Sequence, residues 1–174
     1  MQHRLFDDLK RLVGFGIEDA AHLVSLAPLF MRRGHEVSEV FLEVFGDDPE
    51  TSDLLEGRIE AAAAGHRRWV AGLFGGAYGP SYFAELERIG LVHVRLGIPL
   101  PLLEAALSVA RVRGDALICE EVADRELALA CRTSLDRLLD LNQIALGLAY
   151  EGEHARVYLE RGAALQRLSH PPIV

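Results

Sequence analysis

Two histidines carry the chemistry for which this sequence can be read. On the helical repeat, residue 66 shares a face with Ile59, Ala62, Ala63, Val70 and Leu73, so His66 interrupts an otherwise apolar stripe. Residue 93 shares its face with Tyr82, Leu86, Ile89 and Leu96, which puts His93 in an equivalent position. Burying an imidazole without a partner costs about 1–3 kcal/mol. Each ring therefore needs a hydrogen bond, as a core histidine has, or a metal. Zinc is poorly served, because neither histidine has a nearby Cys, Asp or Glu at the spacing of further tetrahedral ligands. Iron protoporphyrin suits both rings. Its faces are apolar, and neutral histidine is a suitable axial ligand once its other nitrogen donates to a carbonyl such as the one near Ile89. The small residues Ala62, Ala63 and Gly65 let a backbone approach a macrocycle closely.

Both stripes need helices to carry them. The pattern is helical from about Leu54 to Phe74, where Gly75 and Gly76 end it, and again from Pro80 to about Leu96, before Gly97-Ile98-Pro99-Leu100-Pro101. A short glycine-rich turn joins the two, so they can enclose a flat apolar ligand between them. Upstream, residues 4–13 form a short helix stopped by Gly14 and Gly16, and a second runs from about Ile17 to Ser25. A third begins at Pro28 and continues through Val44, and Asp47-Asp48-Pro49 marks a turn. Downstream, helices are expected over about 102–122 and 123–168, the second on the order of 60–70 Å long if unbroken. A helix of that length needs a partner, and Pro171 and Pro172 are expected to end it.

Composition narrows the class. The chain has 174 residues, half of them hydrophobic, enough for one substantial core, and a single domain over 1–174 is expected. Aromatics are only 7%, and the apolar set is mainly Ala, Leu and Val, which suits packed helices, so the expected fold is all-α. A formal charge of -8 repels phosphate backbones and anionic lipid surfaces, which argues against nucleic acid as a partner. Cys119 and Cys131 are too few and too far apart for a disulfide framework or a CxxC metal motif, and they are read as small hydrophobes. That usage, with no secretory signal and no long uncharged apolar stretch, predicts a cytoplasmic location without membrane insertion by this chain.

The run Arg88-Ile89-Gly90-Leu91-Val92-His93-Val94-Arg95-Leu96-Gly97-Ile98-Pro99 closely resembles the proximal-histidine signature of globin-coupled sensors and the related protoglobins. Phe41 through Phe45, Asp48-Pro49-Glu50-Thr51, Trp69, Leu73-Phe74 and Gly76-Ala77-Tyr78 followed by Tyr82 also resemble that family in order and spacing. The resemblance covers about residues 17–115 by motif and the long terminal helices by architecture. It implies a globin-like fold with an N-terminal accessory helix in residues 1–15, a core with dimerisation helices over 17–168, and a homodimer through a four-helix bundle. It further implies haem b (iron protoporphyrin IX) between the helices bearing His66 and His93. Sensing of O2, CO, NO or redox state is implied as well, passed to a C-terminal output module outside these 174 residues.

His93 is then the proximal iron ligand. Many oxygen-binding members carry a distal tyrosine directly after the phenylalanine matching Phe41, but here Leu42 stands there, and His66 is offered instead as the second axial ligand. A second departure is Leu102-Leu103, where an aromatic pair often follows the proline. Phe41, Leu42 and Phe45, then Trp69 and Val70 beside His66, and Leu86, Ile89 and Val94 beside His93 are candidate pocket walls or ordinary core. Arg67, Arg68, Arg88 and Arg95 are candidates for pairing with haem propionates, or simply solvated. Two other readings stand beside the sensor: a haem enzyme such as a nitric oxide dioxygenase or peroxidase, and a haem-free globin-like dimerisation module.

Overall fold

The computed structural model describes the backbone of residues 2–169 and the side chains of residues 5–49, 51–156 and 160. Pro171 and Pro172 lie outside the described residues. Among the described residues every regular element is a helix: α1 Gln2–Val13, α2 Ile17–Ser25, α3 Ala27–Arg33, α4 His35–Asp47, α5 Pro49–Leu55, α6 Ile59–Gly72, α7 Pro80–Arg95, α8 Leu100–Glu121 and α9 Arg125–Ser169. None of these helices is long and apolar enough to cross a membrane.

α9 meets no proline between Arg125 and Ser169, and at 45 residues it runs unbroken for roughly 68 Å. Its first half supplies the centre of the core: Leu135, Leu138, Leu139, Leu141, Ala145 and Leu146 are each at most 2% exposed. α1, α2, α7 and α8 all pack on it, which is the partnering that a helix of this length requires. α1 is stitched on by Phe6, which is buried against Phe83 of α7 with ring centroids 4.7 Å apart. α3 and α6 meet through the stacked rings of Phe30 and of Phe74, just beyond the α6 terminus, at 3.8 Å.

Two expectations from the sequence need correction. The single helix expected from Pro28 through Val44 is split at Gly34 into α3 and α4. The backbone there passes close to its neighbours: a Cβ at Gly34 would run into the Phe30 carbonyl oxygen and lie 3.4 Å from Val70 Cγ1. The helix expected from about Leu54 is likewise two elements. Pro49 starts α5 directly after the predicted turn, Asp48 accepts the Thr51 N–H at 3.0 Å as an N-terminal cap, and Gly57 at φ +70 turns the chain into α6.

Salt bridges lock the α3–α4 junction to the far end of α8. Arg33 reaches Glu36, Glu120 and Glu121, and Arg113 reaches Glu36 and Glu120. The Glu36 carboxyl is held at about 2, well below the usual carboxylate range, by hydrogen bonds from Arg33 and Arg113.

Candidate functional site

α7 is positioned from both ends and along its length. Pro80 opens it at the first turn, where a missing N–H costs nothing. At the other end Gly97, at φ +73, lets the chain fold back so that Ile98 N–H donates to His93 O at 3.0 Å and Gly97 N–H to Val94 O at 3.0 Å. This paired closure explains the Leu96-Gly97-Ile98 run, because only glycine takes that backbone geometry without strain. In between, Gly90 sets the approach to α9: a Cβ there would fall 2.7 Å from Ala149 Cβ and 3.2 Å from Leu146 O. Tyr150 of α9 donates from its hydroxyl to Ile98 O at 2.8 Å, tying down the segment after His93.

Held this way, His93 donates from Nδ1–H to the Ile89 carbonyl one turn upstream at 2.8 Å. A carbonyl only accepts, so in the neutral ring Nε2 keeps its lone pair. His93 lines an apolar cavity shared with Phe41 and Phe45 of α4, Thr51, Leu54 and Leu55 of α5, Ile98, and Leu102, Leu103 and Ala106 of α8. The α5 wall is fixed by Thr51, which is buried and whose hydroxyl donates to Phe45 O at 2.6 Å. The cavity measures about 60 Å³, roughly two water molecules' share of liquid volume. Its walls must part to admit a flat macrocycle.

His66 is half-buried on α6, with its Nδ1 2.9 Å from Ser38 Oγ of α4. Its Nε2 is buried with no hydrogen-bond partner. The ring lies parallel to Phe41, centroids 4.6 Å apart and planes within 5°, and packs at 5.2 Å against Trp69. Burial pushes its pKa down to about 4, so the imidazole is neutral near pH 7. Phe41 is common to both histidines: it stacks on His66 and forms part of the cavity wall that His93 shares.

Behind the site, Asn142 of α9 is fully buried and joins both histidine-bearing helices. Trp69 Nε1–H donates to its Oδ1 at 2.9 Å, its Nδ2–H donates to Tyr82 Oη at 2.9 Å, and Nδ2 also donates to Leu138 O at 2.7 Å. Nothing in the residue pattern pointed to Asn142.

Of the wall residues expected from sequence, the structure brings Phe41, Phe45 and His93 to the cavity. Val70 and Leu86 lie in the main core, 3% and 1% exposed, with Ile89 and Val94 packed against it, and Leu42 is half-buried on α4. Trp69 turns its indole to Asn142. Arg88 pairs with Glu85, and Arg67, Arg68 and Arg95 are exposed. Sequence reasoning missed the α5 residues and Ala106.

The donor set fits a haem. Two imidazoles have Nδ1 engaged, and the Nε2 of His66 is an orphaned buried nitrogen. His93 lines an apolar cavity that His66 does not itself line, but Phe41 of the cavity wall stacks on the His66 ring. Among the described residues no cluster of three or more His, Cys, Asp or Glu is placed to hold a metal ion by protein ligands alone.

No curated protein sequence matches the chain. Among solved structures it is similar to the globin domain of a Geobacter sulfurreducens globin-coupled sensor, with TM-score 0.79 at 27% identity over 83% of this chain and 96% of that one. It is also similar to the globin domain of E. coli DosC. The ferric form matches with TM-score 0.70 at 18% identity over 83% of this chain and 98% of that one. The ferrous form matches with TM-score 0.64 at 19% identity over 82% and 97%. At those identities the DosC likeness is one of fold. The Protoglobin family profile matches residues 2–154. With the helical arrangement of the described residues and the His93 segment in place, the chain is a globin-fold member of the Protoglobin family.

Proposed function

We propose that this chain is a haem-based sensor domain in which His93 is the proximal and His66 the distal axial ligand. The observation that carries the reading is the matched pair of imidazoles, each with Nδ1 engaged, one Nε2 buried without a partner and the other on a ring that lines an apolar cavity. Haem b would supply an iron centre that takes one imidazole on each face and can exchange one of them for O2, CO or NO. His93 is the ligand held for good, since Ile89 O fixes its tautomer and Gly90 and Gly97 fix its helix. His66 is the exchangeable one. While it is in place, an external gas reaches only the fraction of molecules in which it has let go, which lowers apparent affinity by that fraction. Leu42 gives an incoming gas no hydrogen-bond donor at its position, which favours sensing over oxygen chemistry.

Transduction follows from Asn142. Movement of His66 presses on Trp69, and Trp69 is bonded to the α9 amide that also holds Tyr82 of α7. α8 and α9 carry exposed apolar residues, Val112 at 69% and Leu129 at 62%, that suit a homodimer through these helices, with an output module beyond them.

Absorption spectra of the ferric and ferrous protein, with and without CO, test this. Wild type should be low-spin and six-coordinate, His66→Ala should lose that signature, and His93→Ala should fail to retain haem. Protein that purifies colourless and refuses hemin overturns the reading, as does an unchanged low-spin spectrum in His66→Ala. Steady-state turnover with nitric oxide or peroxide would move the chain to the enzyme class.

A further inference from the structure

We infer that Ser38 is the positioning residue that keeps the lone pair of His66 on Nε2 and so makes this imidazole a ready but releasable ligand. The inference rests on reading His66 as an axial ligand. On the proximal side the tautomer is set by a carbonyl, which can only accept. On the distal side the partner is a hydroxyl, which can both donate and accept, so geometry alone permits either tautomer. Burial decides between them. With the proton on Nε2, the ring would hold an N–H in a place where the structure offers no acceptor, the rarer and worse kind of orphan. With the proton on Nδ1, the N–H donates to Ser38 Oγ at 2.9 Å and Nε2 is left as a lone pair.

Ser38 itself is suited to the task. It is 1% exposed in the first turn of α4, where its buried hydroxyl meets the His66 ring across the helix pair. Phe41, one turn along the same helix, stacks on the His66 ring and sets its plane. Position 38 fixes which nitrogen bears the proton and position 41 fixes the tilt, so α4 presents the α6 imidazole. A hydroxyl is a softer restraint than a carbonyl in a helix end locked by glycine, which is why the distal ring can leave and the proximal ring does not.

The test uses haem-loaded protein carrying Ser38→Ala and Ser38→Thr. Loss of one such hydrogen bond should raise apparent CO affinity of the ferrous protein by about 3- to 10-fold in Ser38→Ala, and Ser38→Thr should return it to near wild type. In a His66→Ala background, Ser38→Ala should leave CO affinity unchanged, because the coupling partner is gone. A second readout is the 15N shift of His66 in the haem-free protein, where the ring keeps its contact with Ser38 Oγ. It should report Nδ1–H in wild type and Ser38→Thr, and a shift toward Nε2–H in Ser38→Ala. Unaltered CO affinity together with an unaltered tautomer in Ser38→Ala overturns the inference. An unchanged low-spin spectrum in His66→Ala instead overturns the axial assignment, and the 15N shifts then decide the Ser38 role by themselves.

Discussion

α7 and α6 each carry one of the two histidines, but α7 is fixed along its length to α9, whereas α6 and the helices beside it are held at separate points. On the α7 side, Gly90 lets two backbones meet, Gly97 closes the helix end, and Tyr150 pins the following segment. On the other side α5 packs principally on α4, α4 packs on α8 and α6 and is paired to α8 through Glu36 and Arg113, and α6 reaches α9 through the Trp69–Asn142 bond. Close packing of small residues tolerates little displacement, while ion pairs and single hydrogen bonds yield more readily. The difference teaches that one wall is packed directly on the central helix while the other reaches it through a polar tie, and we expect the second to be the one that responds.

That contrast can be broken outright at the one residue both walls share. Asn142→Leu leaves the Trp69 and Tyr82 groups without their partner, at about 1–3 kcal/mol each. We expect a fall in Tm on the order of 5–10 °C by thermal melt, with altered fluorescence from Trp69, the single tryptophan. A change at the fixed wall alone comes next: Gly90→Ala forces α7 off Ala149 and Leu146 and should cost about 1–3 kcal/mol in urea unfolding. If it is silent, α7 is not the rigid partner described. At the responsive wall, Thr51→Val removes the hydroxyl bond to Phe45 O, about 1 kcal/mol, and should appear as faster amide exchange in α5 with little change in Tm.

The smallest effect is acid loosening of the α3–α4–α8 clamp. Glu36 has its folded-state pKa lowered from 4.5 to about 2, so its contribution is fully present above pH 4.5 and is lost as pH falls toward 2. Far-UV circular dichroism of wild type and Glu36→Gln over that window checks it. The variant should lack the corresponding part of the acid transition.

The sequence made both histidines legible because a single polar ring in an apolar helical stripe stands out, and the glycines around His93 marked where α7 had to meet something closely. It could not say which apolar neighbours face the cavity. Val70 and Leu86 share a stripe with the histidines, yet a helix stripe is wide enough to serve core and cavity together, and both went to the core. α5 escaped notice because seven residues give too few turns for a periodic signal, and its proline reads equally as a turn. Gly34 lies inside the helical pattern read from Pro28 through Val44, and its close approach to Phe30 O and Val70 is visible only in the folded chain.

α9 continues well past its last buried residue among the described side chains. Its buried residues run to Tyr150, and the described side chains beyond are exposed apart from Glu153. The helical backbone runs on to Ser169, about 28 Å beyond Tyr150. On a helix of that length a tilt of about 5° at Tyr150 would swing the backbone at Ser169 by roughly 2–3 Å.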